Sequence, residues 1–109
     1  MTTPYEKGRA AEEYIASLFK NAGAFVMRSA GSKGPADLLI VTHNEVLLIQ
    51  VKTRNASRKE RERLISLANK MKARPVIARK LRKYWILEFL DEPLGGSFFL
   101  SDYLRRFNA

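Results

Sequence analysis

The chain opens on a helical repeat of apolar residues. Thr3-Pro4-Tyr5-Glu6 is typical of a capping box with proline at the first helical position, and Gly23 supplies a C-terminal stop. The apolar stripe consists of Gly8, Ala11, Ile15 and Leu18, widened by Tyr14 and Phe19. This spacing predicts an amphipathic helix over residues 4–21, with Glu12 one position beside the stripe.

The pattern then changes to short β-branched runs. Residues 24–28 predict a strand, and residues 29–35 form a loop by composition, since glycine, serine and proline dominate them. Residues 37–42 and 46–53 predict two further strands. His43-Asn44-Glu45 between them predicts a hairpin that turns about Asn44-Glu45.

A second capping box, Ser57-Arg58-Lys59-Glu60, predicts a helix that runs to about residue 71. Its apolar side carries Leu64, Leu67, Ala68 and Met71. Residues 76–78 and 84–90 predict two more strands, and a loop, the apolar run 98–100 and a short terminal helix from about residue 101 follow. The order α-β-β-β-α-β-β predicts one α/β domain over residues 1–109, with a central sheet flanked by helices.

Composition excludes several kinds of chemistry. The 109 residues include no cysteine and a single histidine, His43, which argues against disulfides, thiolate metal sites and Ser-His-Asp catalysis. No apolar run approaches the roughly 20 residues of a membrane span, and the N-terminus lacks the apolar segment of a signal peptide. We expect a cytoplasmic location, or the host cytoplasm if the protein is viral, with no membrane partner and no small-molecule cofactor.

The net charge of +9 points to a polyanionic partner. Residues 52–83 hold thirteen basic side chains against only Glu60 and Glu62. Such a surface attracts nucleic acid because phosphate neutralisation releases counterions, although a merely solvated basic surface is the alternative. The basic side chains that we expect to contact nucleic-acid phosphates include Lys33, Arg54, Arg58, Lys59 and Lys80.

The predicted hairpin brings together three groups that suit phosphodiester hydrolysis. Side chains alternate along a strand, so Gln50 and Lys52 share a face. A turn about Asn44-Glu45 would place Asp37 opposite Lys52 and Leu39 opposite Gln50, about 5 Å apart. Oxygen ligands can hold a divalent cation that activates water, while a lysine offsets developing charge. Alternatively, Asp37 caps a turn and Lys52 is a solvated charge; Glu12 favours the catalytic interpretation, because a carboxylate beside a buried stripe is costly without a partner.

Four motifs resemble those of archaeal-type Holliday junction resolvases, in the PD-(D/E)XK nuclease superfamily. They are Lys7-Gly8-Arg9-Ala10-Ala11-Glu12, Val26-Met27-Arg28-Ser29-Ala30-Gly31-Ser32-Lys33, Asp37-Leu38-Leu39 and Ile49-Gln50-Val51-Lys52. The resemblance covers roughly residues 5–90 and implies a restriction-endonuclease-like fold with a mixed sheet. It also implies a homodimer that binds four-way junctions and cuts two opposing strands with Mg²⁺, for which Mn²⁺ can substitute.

Residue by residue, the resemblance implies a metal site formed by Glu12, Asp37 and the residue at position 50, with Lys52 as the catalytic lysine. Ser32 matches a position that assists cleavage, and Arg28 matches a basic residue near the scissile phosphate. On the same analogy Leu67 and Met71 would lie at a dimer interface, and an ordinary core-facing stripe is the alternative. The exposed-looking run 98–100 is a second interface candidate.

The chain departs from the family pattern at Gln50, where a glutamate is usual. A glutamine keeps one oxygen ligand but loses a negative charge, and hard cations prefer carboxylate. Four interpretations are open: a functional amide ligand, a weakened site, an inactive DNA-binding relative, or an engineered substitution that traps substrate. The main function predicted is resolution of Holliday junctions, and the alternatives are a binding module of the same fold or a nuclease for another DNA substrate.

Overall fold

A computed structural model describes residues 4–29, 34–91 and 95–107, apart from the side chains of residues 4–7 and 107. The elements are α1 (Pro4–Asn21), β1 (Phe25–Arg28), β2 (Leu38–Val41), β3 (Val46–Lys52), α2 (Arg58–Met71), β4 (Arg74–Leu81), β5 (Tyr84–Phe89), β6 (Gly96–Phe99) and α3 (Leu100–Phe107). The predicted order α-β-β-β-α-β-β and the terminal helix are confirmed, and the apolar run 98–100 contributes to a sixth strand, β6. No helix in the described parts is both long and apolar enough to cross a membrane.

In the described parts of the chain, six strands form one mixed sheet in the order β1-β2-β3-β4-β5-β6. Within this described sheet only β3 and β4 run parallel, and α2 is the crossover that connects them. The other neighbouring pairs are antiparallel. The carboxyl ends of β3 and β4 therefore lie side by side, with Lys52 in register with Arg79.

Two apolar cores cover the two faces of the sheet, because alternate side chains along each strand point in opposite directions. On one face, α1 and α3 pack on strand residues such as Ile49 and Val76. On the other face, α2 packs through Leu64 and Ala68 on Leu48 and Ile77. Gln50 continues the Leu48 side, which is the face that α2 covers.

Helix α1 buries a face slightly rotated from the predicted stripe. Ile15, Ala16 and Phe19 are buried, whereas Tyr14, predicted to widen the stripe, is 51% exposed. Since residues three and four apart share a helix face, Glu12 belongs to the buried face itself, one turn before Ile15 and Ala16. Helix α1 ends before Gly23, as predicted, and the φ of +98° at this glycine explains the stop.

The predicted register of the β2–β3 hairpin is wrong by two residues. Leu39 pairs with Leu48 rather than with Gln50, and Val41 pairs with Val46. The turn is centred on His43-Asn44 because the hydroxyl of Thr42 accepts hydrogen bonds from the backbone N–H groups of Asn44 and Glu45, at 3.2 and 3.0 Å. The shift moves Asp37 from the expected place opposite Lys52 to the level of Gln50. A shift of two residues preserves the faces, so the site residues still converge.

An ion cluster at the opposite end of the sheet from Lys52 anchors α3. Arg74 binds Asp91 through two nitrogens and Glu45 through a third, at 2.8–3.2 Å. The hydroxyl of Tyr103, on α3, donates a hydrogen bond to Glu45. The cluster connects α3 to the β2–β3 turn and to the ends of β4 and β5.

Candidate active site

A polar cleft of about 350 Å³ opens at the end of the sheet where β3 terminates. The first turns of α1 and α2 and the segment before β2 enclose it. Its lining residues are Gly8, Glu12, Gly34, Pro35, Asp37, Gln50, Val51, Lys52, Glu60 and Arg63. The cleft therefore contains the three groups of the hairpin motif together with the helix carboxylate Glu12.

Asp37 is fixed by the backbone of β3. Its N–H donates to the carbonyl of Ile49 at 2.8 Å, and its carboxylate oxygen Oδ2 accepts from the N–H of Val51 at 2.7 Å. Where β2 begins, the Asp37 carboxylate thus accepts the kind of hydrogen bond that a backbone carbonyl accepts in a regular β-sheet. This contact holds the Asp37 carboxylate beside Gln50 and removes most of its rotational freedom.

Glu12 faces Asp37 across the cleft, and burial, which penalises the charged form, raises the pKa of Glu12 from 4.5 to about 7. The hydrogen bond with Asp37 and the repulsion from its carboxylate add to this shift. Two carboxylates this close share a proton or a cation rather than stand charged side by side. The arrangement is suited to binding a positive charge.

Arg28 partly offsets this negative charge from the end of β1. Its guanidinium lies 3.6 Å from Glu12 and 3.7 Å from the exposed Glu13. The contact with Glu12 lowers the pKa of that carboxyl, but it is outweighed by burial and by Asp37. The predicted basic residue near the reacting phosphate is therefore adjacent to the site, where its 39% exposed side chain is accessible to a ligand.

Gln50 presents a buried amide oxygen to the cleft. Among the described residues, its Oε1 has no hydrogen-bond donor. A buried acceptor without a partner costs about 1–3 kcal/mol, so such groups mark a missing ligand, ion or water. Gln50 therefore presents an acceptor oxygen in the cleft, although it lacks the charge of the glutamate that is usual at this position.

Lys52 completes the site at the last residue of β3. Its ammonium forms an ion pair with Glu60 in the first turn of α2, and only 19% of the lysine side chain is exposed. The hydrogen bond from Lys52 is the main reason that the pKa of Glu60 falls to about 2. The ion pair with Glu60 thus orders Lys52 at the edge of the cleft.

The other predicted site residues either do not line the cleft or fall outside the residues that the structure describes. Ser32 and Lys33 fall outside the described residues. Exposed basic side chains surround the site without lining it: Arg54 after β3, Arg58 and Lys59 at the start of α2, and Lys80 near the end of β4.

Two charged lining residues, Glu60 and Arg63, were not predicted as site residues from the sequence. Glu60 was assigned only to a helix cap, and Arg63 was treated as part of a general basic cluster. The capping box was a usable signal, because it places the glutamate in the first turn of α2, a few residues beyond Lys52. Nothing in the spacing of polar residues distinguishes Arg63 from its basic neighbours.

A mixed sheet with helices on both faces and paired acidic groups, an amide and a lysine at one end define a domain of the restriction-endonuclease-like class. The profile of the family described as archaeal Holliday junction resolvase (Hjc) matches residues 3–94. The chain belongs to this family.

Two relatives are similar over nearly the whole chain. The crossover junction endodeoxyribonuclease Hjc of Methanocaldococcus jannaschii is 30% identical over an alignment of 112 positions. This alignment covers 96% of this chain and 84% of the relative. The solved structure of the Holliday junction resolvase Hjc of Archaeoglobus fulgidus superposes with a TM-score of 0.69 at 26% identity. That match covers 91% of this chain and 96% of the other.

Proposed function

We propose that this protein is an endodeoxyribonuclease that resolves Holliday junctions by metal-assisted hydrolysis of phosphodiester bonds. Family membership and the names of both relatives support the junction as substrate. The observation that carries the catalytic part is the convergence of Glu12, Asp37, Gln50 and Lys52 in one cleft on a strongly basic protein.

The donor set fits a hard divalent cation such as Mg²⁺, with Mn²⁺ as a substitute. Glu12, Asp37 and the amide oxygen of Gln50 would hold it, since hard cations take oxygen ligands. Two features support this fit: among the described residues Gln50 Oε1 has no donor, and Glu12 is partly buried beside Asp37, which together raise its pKa. When bound, a divalent cation polarises the phosphate and lowers the pKa of a coordinated water.

The chain's own residues have separate tasks in this proposal. Asp37, whose carboxylate is fixed by the N–H of Val51, and Glu12 would hold the cation through their carboxylate oxygens. The ammonium of Lys52 would stabilise the charge that develops on the phosphate. Arg28 lies where it can contact a phosphate next to the reacting one. Exposed basic residues position the duplex arms through phosphates and read no sequence: Arg54, Arg58, Lys59 and Lys80.

We further propose that the working form is a homodimer, because two symmetric cuts require two sites. Met71, near the end of α2, is 44% exposed, and Leu67 is only partly covered, so both suit an interface. Leu100, in the second expected patch, is only 3% exposed and belongs to the core, as does Leu64, which lies on the same side of α2 as Leu67 and is completely buried. Phe98 and Phe99 remain accessible at 36% and 49%.

The test is a cleavage assay on a synthetic four-way junction with one labelled strand. With Mg²⁺ we expect paired, symmetric nicks near the branch point, and with a chelator we expect binding without cleavage. A linear duplex of equal length and composition should remain uncut. Metal-dependent cutting of that duplex would indicate a nuclease of another substrate class, and tight binding without cutting at any metal concentration would indicate a binding module.

A further inference from the structure

Glu60 connects the cap of helix α2 to the lysine of the cleft through its two carboxylate oxygens. Oε1 accepts a hydrogen bond from the N–H of Ser57 at 2.9 Å, and Oε2 pairs with the ammonium of Lys52. We propose that Glu60 is a positioning residue for cleavage, which holds Lys52 where it acts on the phosphate. The inference rests on the nuclease function proposed above.

The carboxylate is fixed before it meets the lysine. In the capping box, the Ser57 hydroxyl accepts from the Glu60 N–H at 3.2 Å, while the Glu60 side chain accepts from the Ser57 N–H. These reciprocal bonds set both the backbone and the side chain of Glu60. A lysine has a long flexible stem and loses much rotamer freedom when ordered, so a partner that is already ordered places its ammonium most effectively.

Glu60 is important as a partner of Lys52 because position 50 carries a glutamine. Gln50, on the same face as Lys52, carries no charge that could attract the ammonium. The Asp37 carboxylate is engaged by Val51 and Glu12. Among the described residues, Glu60 is the carboxylate that forms an ion pair with Lys52, and its pKa of about 2 keeps it charged throughout the working pH range.

Glu60 acts through Lys52 and not as a metal ligand. The two oxygens of Glu60 are already committed to Ser57 and Lys52. Removing its charge should therefore change turnover and leave metal affinity unchanged.

The decisive variant is Glu60→Gln, because glutamine at this position preserves the capping box while removing the charge. A misplaced catalytic group can cost up to about 100-fold, so we expect kcat to fall about 10- to 100-fold. The junction Kd, the KM and the half-saturating Mg²⁺ concentration should each change less than about twofold, since one charge among many contributes little to phosphate binding.

Two matched variants separate positioning from helix capping. Ser57→Ala removes the hydroxyl of the cap but keeps the backbone N–H that holds the Glu60 carboxylate, so it should lower Tm with kcat within about twofold. Glu62→Gln removes an exposed carboxylate on the same helix, which pairs with Arg58, and should leave both quantities unchanged. A fall in kcat for Ser57→Ala equal to that for Glu60→Gln, measured where both are folded, would overturn the proposal.

A readout independent of cleavage comes from a double-mutant cycle on thermal unfolding in chelator. Lys52→Met and Glu60→Gln should be non-additive in Tm if the two groups interact. Additive effects overturn the inference, as do unchanged or increased turnover and a shifted Mg²⁺ requirement for Glu60→Gln. If the wild-type protein cuts no junction but the cycle shows coupling, the proposed function fails while the placement of Lys52 by Glu60 stands.

Discussion

Glu12 should destabilise the metal-free protein at neutral and alkaline pH, so Glu12→Gln should stabilise it. The carboxyl is buried against Asp37, and its pKa is raised from 4.5 to about 7. Between these two values the folded state binds a proton that the unfolded state has released. The free energy of unfolding of the wild type should therefore fall as pH rises from about 4.5 to 7 and level off above.

The magnitude follows from the size of the shift. A difference of one pKa unit corresponds to about 1.4 kcal/mol, so the shift of Glu12 corresponds to roughly 3 kcal/mol. A domain of this length changes its Tm by about 4 °C per kcal/mol. The Tm of Glu12→Gln relative to that of the wild type should therefore rise by roughly 10 °C between pH 4.5 and pH 8. The underlying free energy of roughly 3 kcal/mol is a large part of the typical stability of a domain.

Thermal unfolding followed by circular dichroism, with chelator and at several pH values, measures this difference. Glu13→Gln is the matched control, because Glu13 is the next residue, also contacts Arg28 and is exposed. Its pH profile should follow that of the wild type. Adding Mg²⁺ should raise the Tm of the wild type and leave Glu12→Gln little changed. A Tm difference independent of pH, or a less stable Glu12→Gln protein at pH 8, would refute the reasoning.

Three further predictions concern the site and the assembly. Lys52→Ala should abolish cleavage and change the junction Kd by less than about threefold, because one charge among many matters little for phosphate affinity; single-turnover kinetics and gel shifts test this, and unchanged turnover would exclude the role. Gln50→Glu should lower the Mg²⁺ concentration needed for half-maximal cleavage, since a hard cation gains a charged ligand; lower or equal activity throughout a metal titration would contradict the interpretation of Gln50 as a charge-poor ligand. Met71→Glu should convert a dimer into a monomer by light scattering at micromolar concentration, whereas a monomeric wild type under the same conditions would argue against the dimer.

Local sequence signals determined the elements because their physics acts over a few residues. The Ser57–Glu60 capping box and the proline and glycine at the two ends of α1 predicted helices that the structure contains with nearly the expected bounds. Alternation along β2 and β3 correctly placed Asp37, Gln50 and Lys52 on one face. Because side chains alternate with a period of two along a strand, a register error of an even number of residues leaves every side chain on its predicted face.

The tertiary structure decided everything that depends on how elements approach one another. The pairing of β2 with β3, in the register that the local Thr42 turn allows, brought Asp37 to the level of Gln50, where its carboxylate meets the N–H of Val51, 14 residues along the chain. No periodicity carries that information, because a side chain that bonds to a turn competes with the ladder at similar energy.

The electrostatics of the cleft likewise came from packing. The sequence indicated that Glu12 needs a partner, but only the approach of α1 to the end of β2 shows why its pKa rises to about 7. The capping glutamate Glu60 was visible in the sequence as a local feature, and its contact with Lys52 depends on the crossover that returns α2 over the sheet. Charge interactions depend on distance in space and on burial, neither of which is encoded in residue spacing, so the chemistry of this site is a property of the folded chain.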